Sequence, residues 1–79
     1  MLDYAAISSW EAILQCLQSN GNLKLTEDEL IAQITGGGFL SDKPRAARDL
    51  LHDCVVFNLG KGFLEEKDGK LGRTLKIGQ

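Results

Sequence analysis

The chain has 79 residues, of which 43% are hydrophobic and 25% are charged, and its formal net charge is −2. This length fits a single domain, residues 1–79, and the composition is that of an ordinary globular protein with a modest core. No apolar stretch approaches the roughly 20 residues that cross a bilayer, and the N-terminus lacks the basic start and apolar run of a signal peptide. We therefore expect a cytoplasmic protein with no membrane partner.

The first predicted helix runs from about Asp3 to Ser19. Gly21 suits the left-handed position that follows a helix, so the helix ends there. The next residues, 23–25, are too few for an independent strand, but they could join the edge of a later sheet. Apolar residues recur through the helix at helical spacing and form one stripe, namely Ala6, Ile7, Trp10, Ile13, Leu14 and Leu17.

The second predicted helix begins after Thr26 and ends at Thr35. Thr26 can cap its N-terminus, and Glu29, three residues later, completes a capping box. Three acids in the first turn also suit the positive end of the helix dipole. The glycine triplet 36–38 lacks the following Lys-Ser/Thr of a phosphate-binding P-loop, so we interpret it as a connector.

The third predicted helix begins near Pro44 and reaches about Asn58. Proline is tolerated in a first turn, and Ser41 or Asp42 can cap the helix. Segment 60–62 contains two glycines and breaks the helical pattern. The residues predicted to face the core are Ala47, Leu50, Leu51, Cys54 and Val55.

Residue types that carry catalysis are sparse. Cys16 and Cys54 are the only cysteines and His52 is the only histidine, too few for a disulfide framework or a zinc site. We expect both cysteines to be small buried hydrophobes. No acid–base pair or activated nucleophile is visible, so the sequence predicts a binding protein that is not an enzyme, with no cofactor, metal or small-molecule substrate.

A β-hairpin is predicted at the C-terminus. Its first strand covers Phe63 to Lys67, and its second covers Leu71 to Ile77, where residues alternate between two faces. Asp68-Gly69 is typical of a two-residue turn in which both positions need positive φ. A hairpin alone is marginally stable, so its apolar face must pack on the helices. The predicted fold class is α+β, a small three-helix domain with a C-terminal β-hairpin.

Helix, short strand, helix, helix and hairpin is the element order of the winged-helix superfamily. The chain resembles that superfamily over nearly its full length: residues 23–25 match the first strand, Thr26–Thr35 and Ser41–Asn58 match the second and third helices, and the hairpin matches the wing. No particular family within the superfamily is assigned. The resemblance implies that the third helix enters the major groove of DNA and that the wing touches the backbone or the minor groove.

Charge is divided unevenly along the chain. Residues 1–40 hold five acids and one base, a net charge of −4, and residues 41–79 hold six acids and eight bases, a net charge of +2. The overall negative charge argues against indiscriminate nucleic-acid binding, and an anion-binding face must lie in the second half. The resemblance gives the nucleic-acid-binding candidates Lys43, Arg45, Arg48 and His52 on the third helix and Lys67, Lys70 and Arg73 on the wing.

Two functions are compatible with these features. The first hypothesis is a DNA-binding protein, such as a dimeric regulator of transcription, that uses the third helix and the wing. The alternative is an adaptor that docks on a protein or forms a homodimer, because acids stand among the bases and Arg45 is spaced to pair with Asp49 on an ordinary solvated helix face. The interface candidates are Leu2, Tyr4, Val56 and Phe57, which are apolar or aromatic residues not easily placed in the core.

Overall fold

The computed structural model describes residues 8–21 and 24–74. The elements, in chain order, are α1 (Ser9–Ser19), β1 (Leu25–Thr26), α2 (Glu27–Gly36), α3 (Pro44–Lys61), β2 (Leu64–Lys67) and β3 (Lys70–Arg73). The predicted fold class is confirmed: the protein is a small α+β domain with a winged-helix-like layout. The predicted helical residues before Ser8, and the predicted strand residues 75–77, lie outside the described residues.

The strands form one antiparallel sheet in the order β1-β3-β2. Leu25 of β1 pairs with Leu71 of β3, and Thr26 pairs with Lys70. The short segment after α1 therefore does join the edge of the later sheet. The strand is shifted toward Thr26 relative to the predicted residues 23–25, because Thr26 forms a backbone pair before it caps α2.

The hairpin turn is the one that the sequence predicts. Asp68 and Gly69 have φ values of 56° and 77°, the pair of positive angles that a tight antiparallel connection needs. The strand before the turn begins at Leu64, one residue after the predicted Phe63. Lys67 and Lys70 are directly opposite each other beside the turn.

The hydrophobic core lies where the three helices meet one face of the sheet. Its buried members are Ala12, Ile13, Cys16, Leu17, Leu30, Ile31, Ile34, Phe39, Ala47, Leu51, Val55, Leu64 and Leu71. Trp10 and Cys54 pack against this core but are only half-buried, so the expectation of buried cysteines is met by Cys16 and only partly by Cys54. The Trp10 ring centroid lies 6.5 Å from that of Phe63, which ties the start of α1 to the start of the hairpin.

The start of α1 differs from the prediction. Ser8 has an extended backbone, with φ −69° and ψ 160°, and its side chain accepts the N–H of Glu11. This is N-cap geometry, so the helix that ends at Ser19 begins at Ser9 and not near Asp3. The periodicity of the apolar residues does not reveal that Ser8 has an extended backbone and caps the N-terminus of α1.

The predicted capping box of α2 is confirmed. Thr26 Oγ1 accepts the Glu29 N–H at 3.1 Å, and the Glu29 carboxylate accepts the Thr26 N–H at 2.9 Å. Hydrogen bonding of the Glu29 carboxylate to the Thr26 backbone N–H, and then to the Thr26 side chain, lowers the pKa of Glu29 below its ordinary value, and the charge of Lys70 adds to this effect. The helix ends at Gly36, one residue after the predicted end.

The predicted cap of α3 is wrong. Residues 37–42 form turns, Lys43 occupies the N-cap position, and no side chain caps the helix. Leu40 adopts a φ of 45°, and its carbonyl accepts the Lys43 N–H at 2.9 Å. This turn brings the chain into Pro44, whose missing N–H needs no capping partner.

The C-terminal end of α3 also differs from the prediction, because the helix passes through Gly60 and ends at Lys61. Gly62 then adopts the left-handed conformation, with φ 82°. The Phe63 N–H reaches the Asn58 carbonyl at 3.0 Å, and the Gly62 N–H reaches the Leu59 carbonyl at 3.2 Å. These two bonds form a Schellman motif, which identifies Gly62, and not Gly60, as the residue that stops the helix.

Candidate functional site

Burial divides α3 into a core side and an outward side. Ala47, Leu51, Val55 and Asn58 are buried. With about 3.6 residues per turn, seven residues lie on the side turned away from these four, and we call them the outward face: Ala46, Asp49, Leu50, Asp53, Val56, Phe57 and Gly60. All seven are exposed to solvent. Arg45 lies at the border of this face, one turn before Asp49.

The outward face is rich in large apolar side chains. Phe57 is 61% exposed, Val56 is 54% exposed and Leu50 is 46% exposed. Val56 and Phe57 therefore lie outside the core and do not pack under the hairpin. The prediction that Leu50 faces the core is wrong, because Leu50 precedes the buried Leu51 by one residue and so points about 100° away from it.

A lysine lies beside the apolar part of this face. Lys61 Nζ is 5.5 Å from the centroid of the Phe57 ring, within the range of a cation–π contact. The two residues are four apart, so this contact stays within the last turn and a half of α3. It holds the Phe57 ring against the helix end while one side of the ring remains exposed.

The predicted nucleic-acid residues of α3 lie along the edge that faces α2. Arg48 Nη1 is 3.6 Å from the Asp28 carboxylate, and His52 Nδ1 is 2.9 Å from the Glu27 carboxylate. Arg45 lies one turn before Arg48 on the same edge and is exposed. The acids in the first turn of α2 thus meet the bases of α3 directly.

The predicted Arg45–Asp49 pair is not formed. Within residues 8–21 and 24–74, the ion pairs are Lys24 with Glu65, Arg48 with Asp28, and His52 with Glu27. Arg45 and Asp49 are still neighbours on the helix surface, because they are four residues apart in α3.

The predicted bases of the hairpin lie on the other side of the start of α2. Lys67 and Lys70 are both exposed, and Lys70 pairs in register with Thr26. Its charge contributes to the lowered pKa of Glu29, so it lies near the first turn of α2. Arg73 is half-buried opposite Leu64.

The candidate bases therefore do not form one continuous cationic surface. Arg48 and His52 of α3 and Lys70 of the hairpin all lie beside an acidic turn made of Glu27, Asp28 and Glu29. Lys43 is exposed at the N-cap of α3, two residues before Arg45. A phosphate chain that spanned both groups would pass over three carboxylates.

The outer face of the sheet is crossed by Lys24. Its amine lies 3.3 Å from the Glu65 carboxylate, and its aliphatic stem passes over Gly72, where a Cβ would stand 2.9 Å from Lys24 Cγ. Because Gly72 has no side chain, the methylene groups of Lys24 can occupy the space above it. Sequence reasoning missed this contact, and only the pairing of Glu65 with Gly72 in the sheet explains it.

The described part of the chain meets the requirements of neither a metal site nor a membrane-spanning helix. It holds no cluster of three or more His, Cys, Asp or Glu side chains placed to bind a metal ion. None of its helices has the length and apolarity needed to cross a membrane. Leu2 and Tyr4, two of the predicted interface residues, lie outside the described residues.

Comparison with models of protein families gives no match, and neither the curated proteins nor the solved structures show a significant similarity to this chain. The winged-helix resemblance therefore rests on the layout of the helices and strands. Function has to be argued from the surfaces that this layout creates.

Proposed function

We propose that this chain is a non-enzymatic protein-interaction module that docks through the outward face of α3. The observation that carries the proposal is the exposure of Leu50, Val56 and Phe57 on one side of the longest helix. Single exposed apolar residues are common, but a group of them on one rigid element is typical of a partner surface. An aromatic anchor such as Phe57 is also the residue type that dominates the energy of protein interfaces.

The charge of the same face favours a protein over DNA. A helix that reads the major groove presents arginine, lysine or polar amides to the bases, with further bases toward phosphate. The outward face of α3 presents Asp49 and Asp53 instead, and the one base at its border is Arg45. The arginines of α3 lie at the edge of this face, where Arg48 already pairs with Asp28.

A cytosolic location is part of the proposal. Cys16 and Cys54 do not form a disulfide, as is usual for proteins kept in a reducing compartment.

Nucleic-acid binding is the second candidate. The observation in its favour is the pair of exposed lysines, Lys67 and Lys70, placed directly opposite each other beside the hairpin turn. Like charges in this position are mutually unfavourable, and a phosphate between them would relieve the repulsion. Arg45 is also exposed and available for a backbone contact.

Site-specific photocross-linking in cells of the source organism tests the first proposal. We expect Phe57→p-benzoylphenylalanine to give a protein adduct of defined mass that is resistant to nuclease and lost when Val56→Ser is added. The matched control carries the same photoreactive residue at Glu66, an exposed position on β2. Equal labelling at both positions, or an adduct at residue 57 that nuclease removes, would contradict docking of a protein on this face.

A salt titration separates the two candidates. If the second candidate is correct, affinity for duplex DNA falls steeply as salt rises, and Lys67→Ala and Lys70→Ala each lower the slope of that dependence by about one. If the protein-interaction proposal is correct, the chain binds DNA negligibly even at low salt, and Phe57→Ala does not change its affinity for DNA.

A further inference from the structure

Two carboxylates lie among the apolar side chains of the outward face. Asp49 and Asp53 are one turn apart, both are exposed, and neither forms an ion pair within the described residues. Asp53 stands between Leu50 and Phe57 along the helix. The face is therefore both apolar and anionic, and whatever covers it must desolvate or neutralise two negative charges.

A second copy of the chain fits this face poorly. In an antiparallel pair of α3 helices, the axis that places Leu50 against Phe57 of the other copy passes between residues 53 and 54. Asp53 of one copy would then meet Asp53 of the other. In a parallel pair each residue meets its own equivalent, so Asp49 and Asp53 would both face like charges. Like-charge contacts of this kind disfavour the wrong partner in an interface.

A cationic helical partner removes this conflict. Helices pack by setting the side-chain ridges of one into the grooves of the other. A partner helix with apolar residues at positions i, i+3, i+4 and i+7 can contact Leu50 and Phe57. Lysines or arginines beside that stripe would reach Asp49 and Asp53 and neutralise their charges.

We infer that the partner docked on the outward face of α3 is a basic amphipathic helix, an inference that rests on the proposed function. The apolar stripe of the partner supplies the buried contact with Leu50 and Phe57, and its flanking bases supply the specificity. Recognition by an apolar anchor with complementary charge around it is a common way for helices to bind protein surfaces.

The test uses two synthetic helical peptides and the full chain. One peptide of 18 residues carries leucine at i, i+3, i+4 and i+7 with lysine on its flanks, and the second replaces every lysine with glutamate. Binding is followed by titration calorimetry, and the contact surface is mapped by amide chemical shifts. We expect the lysine peptide to perturb α3 from Ala46 to Gly60 and to bind at least tenfold more tightly than the glutamate peptide.

Substitutions on the protein separate a specific contact from general attraction between opposite charges. Asp49→Asn and Asp53→Asn are each expected to weaken binding of the lysine peptide about threefold, and the double variant about tenfold, as is typical of exposed ion pairs. The matched control Glu66→Gln/Asp68→Asn removes two carboxylates from the hairpin, keeps a residue suited to the turn, and should leave the affinity within about twofold.

Three results would overturn the inference. These are equal affinity for the two peptides, equal loss in the control and the Asp49/Asp53 variants, and self-association of the chain that Phe57→Ala abolishes. If cross-linking at residue 57 still yields a protein adduct, these results contradict the inference about the partner but leave the proposed function supported. Failure of that cross-linking would instead remove the proposed function itself, and the inference with it.

Discussion

Gly60 and Gly62 stand two residues apart, and the end of α3 gives them opposite roles. Gly60 lies within the helix, and a Cβ added there would meet nothing within 4 Å. Gly60→Ala should therefore stabilise the fold by about 0.5–1 kcal/mol, because alanine loses less backbone entropy in a helix. Gly62 has a φ of 82°, where an alanine side chain costs about 1–2 kcal/mol.

Thermal unfolding followed by circular dichroism measures both effects. In a domain of this size 1 kcal/mol shifts Tm by about 4–8 °C, so we expect a rise of about 2–8 °C for Gly60→Ala and a fall of about 4–16 °C for Gly62→Ala. Urea titrations at 25 °C should give the same two signs. Two destabilising substitutions of similar size would refute the helix end described here, because that result is expected if α3 stopped at Asn58 and both glycines were in a loop.

Three further predictions concern other parts of the fold. Thr26→Ala should cost about 1 kcal/mol in chemical denaturation, whereas Thr26→Ser should keep most of the capping energy; equal losses would mean that the hydroxyl does not cap α2. The pKa of Glu29 is lowered in the folded state, so its carboxylate stabilises the fold above its ordinary value of 4.5, and that contribution is lost as pH falls through the lowered pKa. Wild type should therefore exceed Glu29→Gln in stability at pH 7, with the difference narrowing below about pH 4.5; a gap that stays constant in acid would contradict this. Leu51→Ala should cost about 2–5 kcal/mol while Phe57→Ala stays within about 0.5 kcal/mol of wild type, and comparable losses would show that Phe57 is part of the core.

Elements with strong local signals were predictable from the sequence. The capping box of α2 depends on Thr26 and Glu29 alone, and the hairpin turn depends on Asp68 and Gly69. Each of these is a preference of the local backbone or of a side chain close in sequence, so no knowledge of the tertiary structure is needed. The edge strand could also be anticipated, because a short apolar segment before a helix has few other partners than a later sheet.

The ends of α1 and α3 depend on competition between possible signals. The apolar stripe of α1 continues before Ser9, but Ser8 gives its side chain to the cap and ends the helical conformation there. In α3, two glycines compete to stop the helix. The choice falls on Gly62, because Phe63 must then begin the hairpin and pack near Trp10. Tertiary packing therefore decides a boundary that the sequence leaves open between two glycines.

The arrangement of charges on the surface could not be predicted by counting acidic and basic residues in the sequence. The excess of bases in residues 41–79 suggested one cationic surface. The fold instead inserts the first turn of α2 between the two groups of bases. Which residues of α3 face outward could be worked out only once Leu51 was known to be buried and Leu50 exposed, because a one-residue shift in the stripe rotates the whole face by about 100°.

The first turn of α2 supports the proposal that the outward face of α3, and not its bases, is the binding surface. Its acids stabilise the N-terminus of α2, and two of them also contact Arg48 and His52. A phosphate that bound Arg48 or His52 would have to compete with Asp28 or Glu27 for the same base and would remain close to the carboxylate it displaced. A ligand on the outward face disturbs none of these contacts, because Leu50, Val56 and Phe57 have no role in the cap of α2 or in its ion pairs. The fold thus engages Arg48 and His52 in contacts with α2, while the apolar and acidic residues of the outward face stay available to a partner.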